Sequence, residues 1–579
     1  MLDEQLLEQF RTALCRAIQA AFGDADLADL DVQLTPTPDP AVGDLGFGCF
    51  PLAKLLRRSP NGIAERLAAA IQLQPPFREA RAVGPYLNLF LDRSALLAAL
   101  CREILDAPSS YGNATLGAGE RVALEFSSPN TNKPQHLGHI RNNVIGMALA
   151  RVLEAVGFHV IRVNLVNDRG VHICKSMLAY QRWGNGETPQ SAGKKGDHLV
   201  GDYYVRFAQE AATAPDLDGE AQNLLRLWEH GDPQTVELWK TMNSWVYAGF
   251  DETYRRLGVA FDHVYHESET YRHGRQIVLQ ALENHHCYRL IDGAVEIDLT
   301  DDGLDKKILL RRDGTSVYIT QDLGTAVARY EHLKFHRMYY LTGSEQIYHF
   351  NVLFALLRRF GYPWAEHCRH IHYGMVYLPE GKMKSREGTV VDADELLDEL
   401  EALSEQAIRE KHADIPPDEL DARKRSIALG AIIFYLLNVT LEKDIHFDPA
   451  ASVSFEGDTG PYIQYSHTRI CGILRKAAGM EFGEPDFAAL GNDQELALAM
   501  ALLRFPKAVR DAAEALNPAR LTSQTLEVAR AFAQFYHDNP VLQADTPGLA
   551  AARLELCRAV QAVLQRGLEL LGIEAPEQM

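Results

Sequence analysis

Several things are missing from this 579-residue chain, and each absence excludes a class of protein. The eight cysteines, at positions 15, 49, 101, 174, 287, 368, 471 and 557, form no CxxC pair. That argues against a disulfide framework and fits reduced thiols in a cytosol. The longest apolar run, Ile427–Leu437, falls short of the about 20 residues that cross a bilayer. The stretch from Met1 to Phe22 mixes Asp3, Glu4, Glu8, Arg11 and Arg16 into an amphipathic pattern, unlike the unbroken apolar segment of a signal peptide. A cytoplasmic chain without a membrane part is expected. Basic residues are in deficit, 58 against 78 acidic ones, for a net charge of -20. Nonspecific coating of nucleic acid runs on phosphate neutralisation, so any such partner must be met by local basic patches. Internal repeats and low-complexity tracts are lacking as well.

What is present suits a multidomain enzyme. The length implies roughly three or four domains, and 46% hydrophobic with 23% charged residues is an ordinary globular balance. Up to about residue 112, helical patterns such as Ile63–Ile71 alternate with a strand-like Tyr86–Leu91, closing on the turn-rich Pro108-Ser-Ser-Tyr-Gly-Asn113. A strand pattern at Arg121–Phe126 precedes a polar loop. A helical stripe follows, with Ile140, Val144, Ile145, Ala148, Leu149, Val152, Leu153 and Val156 on one face. Gly157 stops it, and a second strand, Val160–Val166, comes next. Strand, crossover helix and strand build parallel α/β sheets, which bind ligands at the carboxyl ends of their strands. The loop at 127–135 lies at such an end.

Residues 185–198 read as an exposed loop, and helical patterns through about 285 suggest an insertion into the sheet domain. Sheet-like signals return at Ala294–Leu299 and Ser316–Thr320. From about 396 onward the pattern is helical, including Leu396–Lys411, Ser426–Thr440, Tyr462–Ala478 and Leu521–Phe535. The expected divisions are 1–112, 113–395 with an insertion at about 170–290, and a helical bundle over 396–579.

At the end of the first sheet strand stands Glu125-Phe-Ser-Ser-Pro-Asn-Thr-Asn-Lys133-Pro-Gln-His136-Leu-Gly138-His139. Free amides and the helix dipole favour anions at a helix N-terminus. Gly138 leaves room for a flat ring, while His136 and His139 can donate to phosphate oxygens as charge develops. That combination suits nucleotidyl transfer from ATP.

This run resembles the HxGH signature of class I aminoacyl-tRNA synthetases, in the form found in arginyl-tRNA synthetases. The resemblance implies a Rossmann-like parallel-sheet catalytic domain, an N-terminal α+β domain and a C-terminal all-α bundle. It also implies ATP as substrate with Mg2+, L-arginine and its tRNA as partners, and a monomer. A second signature of the KMSKS type matches Gly381-Lys382-Met383-Lys384-Ser385-Arg386-Glu387-Gly388. Its fourth position, usually lysine, is Ser385, with Lys384 one place early and Arg386 one place late. Which cation substitutes stays open, and the resemblance points to Lys133 as a compensating phosphate ligand.

Reading a guanidinium takes acceptors in a fork geometry. Tyr318 and Asp322, four apart in Tyr-Ile-Thr-Gln-Asp-Leu-Gly, resemble the family's arginine-binding segment, with Asp322 as the guanidinium partner. Glu267 resembles its second pocket carboxylate, with Glu269 the alternative. Glu125 joins the substrate-binding set, and Ser128, Asn130, His139 and Gln346 match positions around the amino acid's backbone end. In Asp458-Thr-Gly-Pro-Tyr462-Ile-Gln-Tyr465 the two tyrosines share a helix face, with Arg469, Arg475 and Lys476 beyond. Exposed aromatics beside cations can stack splayed bases. Tyr462, Tyr465, Tyr536 and Met579 match positions near the anticodon loop in the family. Gly84-Pro-Tyr86-Leu-Asn88 matches its strand that contacts the tRNA D-loop.

The cluster His367-Cys368-Arg-His370-Ile-His372 carries potential zinc ligands. As an alternating strand it offers poor tetrahedral geometry without distant ligands, so a solvated or packed strand is expected and no metal is assigned. Two rivals to a synthetase are a small-molecule nucleotidyltransferase, which has no use for RNA-binding ends, and a noncatalytic tRNA binder, which has no need of intact His136, Gly138, His139, Asp322 and Lys382.

Overall fold

The protein is described here by a computed structural model covering every residue except 24–26, 28–29, 272, 379–390 and 412–413, and the side chain of Pro40. A five-stranded, wholly parallel sheet organises its middle. Its strands, numbered within this sheet, are β1 (Arg121–Glu125), β2 (His159–Val166), β3 (His263–His266), β4 (Arg337–Gly343) and β5 (Cys368–Tyr373). They lie in the order β5-β4-β1-β2-β3. Strand order reverses between β1 and β4, and ligands of such sheets bind in the crevice at that reversal, beyond the strand ends.

Strand β1 reads as a continuous buried run because both sheet faces are covered. The crossover helix Leu137–Ala155 packs over the sheet so closely that Gly146 lies against the ring of Phe126; an added Cβ would come within 2.3 Å of it. Between β2 and β3 the chain makes helices Val171–Trp183, Gly196–Ala211, Asp216–Glu229 and Pro233–Leu257. Strand β3, inside the stretch expected as an insertion, pairs with β2 at the sheet edge.

Two local expectations change. Residues 185–198 are not a simple exposed loop: they include the short helix Pro189–Ala192 and the start of Gly196–Ala211, and Asp197 is fully buried. The stretch Ser316–Thr320 reads as strand from its Val, Tyr, Ile and Thr. Ser316 does form one isolated bridge with Leu310, but a helix begins at Tyr318 and runs to Leu333. Thr320, whose branched side chain favoured a strand, instead donates its hydroxyl to the Leu309 carbonyl. Tertiary contact overrides propensity there.

Before the parallel sheet, a four-stranded antiparallel sheet (Thr35–Pro36, Leu45–Gly48, Tyr86–Leu91 and Phe77–Val83, in that spatial order) packs with helices Leu2–Phe22 and Pro60–Ala70. After it come six long helices: Ala393–Lys411, Pro417–Leu437, Gly460–Ala477, Asp493–Glu514, Ala519–Asp538 and Pro547–Leu571. The two ends of the chain meet: Arg510 pairs with Asp3 at 2.5 Å, and the Tyr111 hydroxyl donates to the Leu502 carbonyl at 3.0 Å. Among the described residues, no helix is long and apolar enough to cross a membrane.

The Gly146–Phe126 contact sets a test. Gly146→Ala is expected to cost about 1–3 kcal/mol by overpacking and to lower Tm in thermal unfolding. Adding Phe126→Leu to it should recover part of the loss, which a helix-propensity effect of alanine would not produce.

Candidate active site

Just past β1 the backbone turns through Ser127 and Ser128 with φ of 76° and 49°, a left-handed conformation that non-glycine residues seldom adopt. Neighbours hold it there. The Ser127 amide donates to Asn142 Oδ1, and the Ser128 amide to Asn164 Oδ1 at 3.0 Å. Ser127 Oγ lies 2.7 Å from the Tyr254 hydroxyl, to which Asn164 also donates at 3.2 Å. The buried Oγ of Ser128 has no partner among the described residues. Asn130 is exposed and bridges to Asn167 beyond β2.

The HxGH turn follows, with His136 as N-cap of the crossover helix. The Gly138 amide donates to His136 Nδ1 at 3.1 Å, and the His136 amide donates to His139 Nδ1, also at 3.1 Å. An imidazole whose Nδ1 accepts must carry its proton on Nε2 if it is neutral. Both are driven neutral. Burial, reinforced by the charge of Lys133, pulls His136 down to about 4, and burial with the charges of His136 and Lys133 puts His139 well below its usual range. The rings sit 3.9 Å apart. The turn therefore presents two Nε2–H donors of fixed tautomer beside an ammonium.

Three carboxylates gather at the carboxyl ends of the same sheet. Glu125, buried at the end of β1, is paired with Arg329 of the helix Tyr318–Leu333. Burial raises the Glu125 titration and Arg329 opposes the rise. Asp322, two turns before Arg329 on the same helix, receives His349 Nε2 at 2.6 Å. Glu267 follows β3 and lies 3.8 Å from Arg169. Burial lifts Glu267 to about 7; Arg169 opposes this, and the charges of Asp322 and Asp168 add to it. Asp322 also acts on Glu125, so the three groups share one field. Tyr318 is 75% exposed, at the opening of this pocket's helix, and Gln346 is exposed at the end of β4. Lys382 and Lys384 lie outside the described residues.

Residues that sequence reasoning did not single out complete the pocket. Asp168, 1% exposed, accepts from the Ser268 amide (2.9 Å), the Ser268 hydroxyl (2.8 Å) and the Tyr247 hydroxyl (2.9 Å). Burial works against its ionisation, but these bonds and His266 outweigh it and keep the carboxyl below its usual range. Arg169 stacks 4.0 Å from the Tyr271 ring centre. Both follow β2, and a charged pair just past a parallel strand was a readable signal. His349 comes three residues after Gln346, one turn along the next helix. Arg329, seven residues after Asp322 and so on the same helix face, was legible only by periodicity.

The histidine cluster of β5 is a packed strand. His370 stacks on Phe350 at 4.5 Å and bonds Thr342 Oγ1 at 2.7 Å, while the Cys368 thiol faces the Trp364 carbonyl.

The RNA-reading candidates fall into two places. Tyr86 is exposed and sits edge-on to Phe50 at 5.7 Å, whereas Asn88 is buried and donates to the Val42 carbonyl at 3.0 Å. In the helical end, the Arg469 guanidinium lies 5.0 Å over Tyr465 and 5.5 Å over Tyr536, which itself stacks on Phe532. Tyr462 is half-buried one turn before Ser466, which donates to its carbonyl. Met579 packs near Ile408, Leu420 and Ile427, on a tail tied to the bundle by Gln464 and His467.

The family model described as tRNA synthetases class I (R), catalytic domain, matches residues 102–448. An arginyl tRNA synthetase N-terminal domain matches 8–91, and a DALR anticodon binding domain 463–579. The chain belongs to the arginyl-tRNA synthetases. It is 42% identical to the arginine–tRNA ligase of Treponema pallidum over 588 residues, spanning all of both chains. It is also 42% identical to that of Bacteroides thetaiotaomicron, across 98% of each. The structure of Thermus thermophilus arginyl-tRNA synthetase superposes with a TM-score of 0.83 at 30% identity, covering both chains fully. The synthetase thus joins arginine to its tRNA at the expense of ATP.

The raised Glu267 titration has a definite sign. A carboxyl with a folded pKa of about 7 is protonated more readily folded than unfolded, so its ionisation withdraws stability as pH rises from about 4.5 to 7. Glu267→Gln should gain Tm relative to the parent as pH is raised from 5 to 8, with little difference at pH 5.

Proposed function

We propose that the acidic pocket of Asp322, Glu267 and Glu125 selects the arginine side chain and that the HxGH turn activates its carboxyl group with ATP. The observation that supports this most is the coupling of Asp322 to both Glu125 and Glu267, at the carboxyl ends of the same parallel sheet from which the turn of phosphate-type donors leads. Asp322 receives the guanidinium, with Glu267 and Tyr318 around it, and Glu125 acts from beneath through its pair with Arg329. Ser128, Asn130, His139 and Gln346 orient the amino acid's backbone end. The unpartnered Ser128 hydroxyl is a ready donor for that purpose.

In the first step an arginine carboxylate oxygen attacks the ATP α-phosphorus, the bond to the β-phosphate bridge breaks, and pyrophosphate leaves. Nε2–H of His136 and His139, with Lys133, bears the charge that develops on the phosphate oxygens; Lys382 and Lys384 add to it from the second signature. In the second step a ribose hydroxyl at the tRNA 3′ end takes the arginyl group and AMP departs. No covalent enzyme intermediate is required. The donor set of the turn, imidazole N–H and ammonium, suits phosphate oxygens rather than a divalent cation, so Mg2+ belongs with ATP as its complex.

The division of labour we infer assigns residues 1–112 to the tRNA D-loop, through Tyr86 and with Asn88 holding that strand from beneath. Residues 113–395, with the insertion at about 170–290, are assigned to catalysis. Residues 396–579 form the stem and anticodon reader, through Tyr462, Tyr465, Tyr536 and the Met579 tail. A cytoplasmic monomer completes the reading.

ATP–pyrophosphate exchange tests the pocket. Arginine alone among the amino acids should support exchange, and only with its tRNA present. Asp322→Asn should lower kcat/KM for arginine by about 10²–10³-fold, in line with losing one partner of a desolvated charge pair. Exchange with a different amino acid would overturn the pocket.

A further inference from the structure

Next to the segment that pairs with the HxGH turn, charged side chains of three distant segments gather around Asp394. Lys195 Nζ lies 2.5 Å from Asp394, 3.2 Å from the fully buried Asp197 and 2.6 Å from Thr253 Oγ1. His198 Nε2 reaches Asp394 at 3.2 Å and Asp392 at 3.6 Å. Arg256 approaches Asp394 at 3.4 Å and continues to Asp398 at 2.6 Å and Glu401 at 3.1 Å. Ligating atoms of Asp197, His198 and Asp394 lie within 4.8 Å of one another, a spacing that suits a metal. The Lys195 ammonium contacts both carboxylates, so the cation of this cluster is the chain's own lysine.

The cluster fastens the HxGH turn from two sides. Asp392–Asp394 open the helix Ala393–Lys411, Asp392 accepting from the amides of Asp394 and Glu395. The residues there pair with the turn: the Leu137 amide donates to the Val391 carbonyl and the Ala393 amide to the Gln135 carbonyl, each at 3.0 Å, and His136 bridges Asp392. On the other side the insertion helix Gly196–Ala211 presses Gly201 against Pro134, where a Cβ would come within 2.8 Å of the proline ring. The turn is held between the insertion and the first turn of the stem helix, and Asp394 joins those two.

We infer that Asp394, gripped by Lys195, His198 and Arg256, is a positioning residue for adenylate formation: it locks 391–393 onto Gln135–Leu137 and so aims the Nε2–H of His136 at ATP. This rests on the reading of His136 as an ATP-phosphate donor. The grip has a titratable member. His198 faces Asp197, Asp392 and Asp394 and, on the cationic side, Lys195. Burial draws its imidazole down, yet the bond to Asp394 and the other two carboxylates raise it above the ordinary histidine value. The protonated ring holds Asp394 fully below about pH 6.5, and its share of the grip is lost as pH climbs through the raised value.

The test is steady-state ATP–pyrophosphate exchange on the whole enzyme with tRNA present. Asp394→Asn should raise KM for ATP about tenfold or more, since small misplacements of positioning groups are expensive, while KM for arginine stays within about twofold and Asp394→Glu restores part of the loss. In the parent enzyme KM for ATP should climb on the alkaline side, and His198→Gln should flatten that climb. Equal shifts of both KM values, or unchanged kinetics in Asp394→Asn, would overturn the inference. If Asp394→Asn fails to fold, Lys195→Gln carries the same comparison. His136→Ala separates the two readings: if it leaves KM and kcat for ATP untouched, the assignment of the turn is what fails; if it is damaging while Asp394→Asn is silent, only the positioning role falls.

Discussion

A single buried guanidinium holds the catalytic architecture together. Arg141, fully buried one turn into the crossover helix, donates to the carbonyls of Gly374 and Met375 just after β5 and to those of Leu441 and Lys443 in the stem. A buried charge is tolerable only when its hydrogen-bonding capacity is met. Here its two terminal nitrogens are met by backbone from two segments far apart in sequence, over the ring of Tyr373, while its Nε has no partner among the described residues. Helix, sheet edge and stem are thereby fixed to each other just past the HxGH turn. The short parallel pairing of Val376–Tyr377 with Ile445–His446 extends the same seam.

On that support the active turn is specified by satisfaction of backbone groups rather than by bulk packing. Left-handed residues at Ser127 and Ser128 persist because Asn142, Asn164 and Tyr254 over-determine them. The two histidines are given their tautomers by amides of their own turn. A neutral imidazole with a fixed N–H is a better preorganised donor than one that must first choose where its proton sits.

Much of this was legible in the sequence, and the reasons differ by element. The β1–helix–β2 unit was legible from its apolar runs and the breaks between them, although the crossover helix is buried almost all round rather than on one stripe, and β1 on both faces. The HxGH turn stood out by residue types whose chemistry is specific, and Asp322 by the resemblance of its segment to the family's arginine-binding one. Periodicity fails where tertiary contacts decide: Tyr318–Leu333 begins inside a strand-like run, and residues 196–198 read as loop although a helix carrying the buried Asp197 starts there. Partners were the least visible. Nothing in the local sequence joins Glu125 to Arg329, Asp322 to His349 or Lys195 to Asp394, since each pair is made by the fold across an interval without a motif.

Each pocket carboxylate already has a nitrogen partner of the protein: Arg329 for Glu125, Arg169 for Glu267, His349 for Asp322. On the proposed reading, capturing arginine is therefore an exchange of partners, not the filling of a negative hole. Long-range attraction contributes little to such an exchange, because the Arg329 and Arg169 guanidiniums offset the field that an approaching ligand would feel. Discrimination between a guanidinium and the ammonium of lysine then falls to shape: a planar fork can span acceptors held at fixed angles by their own partners, and a point charge gains nothing from that spacing.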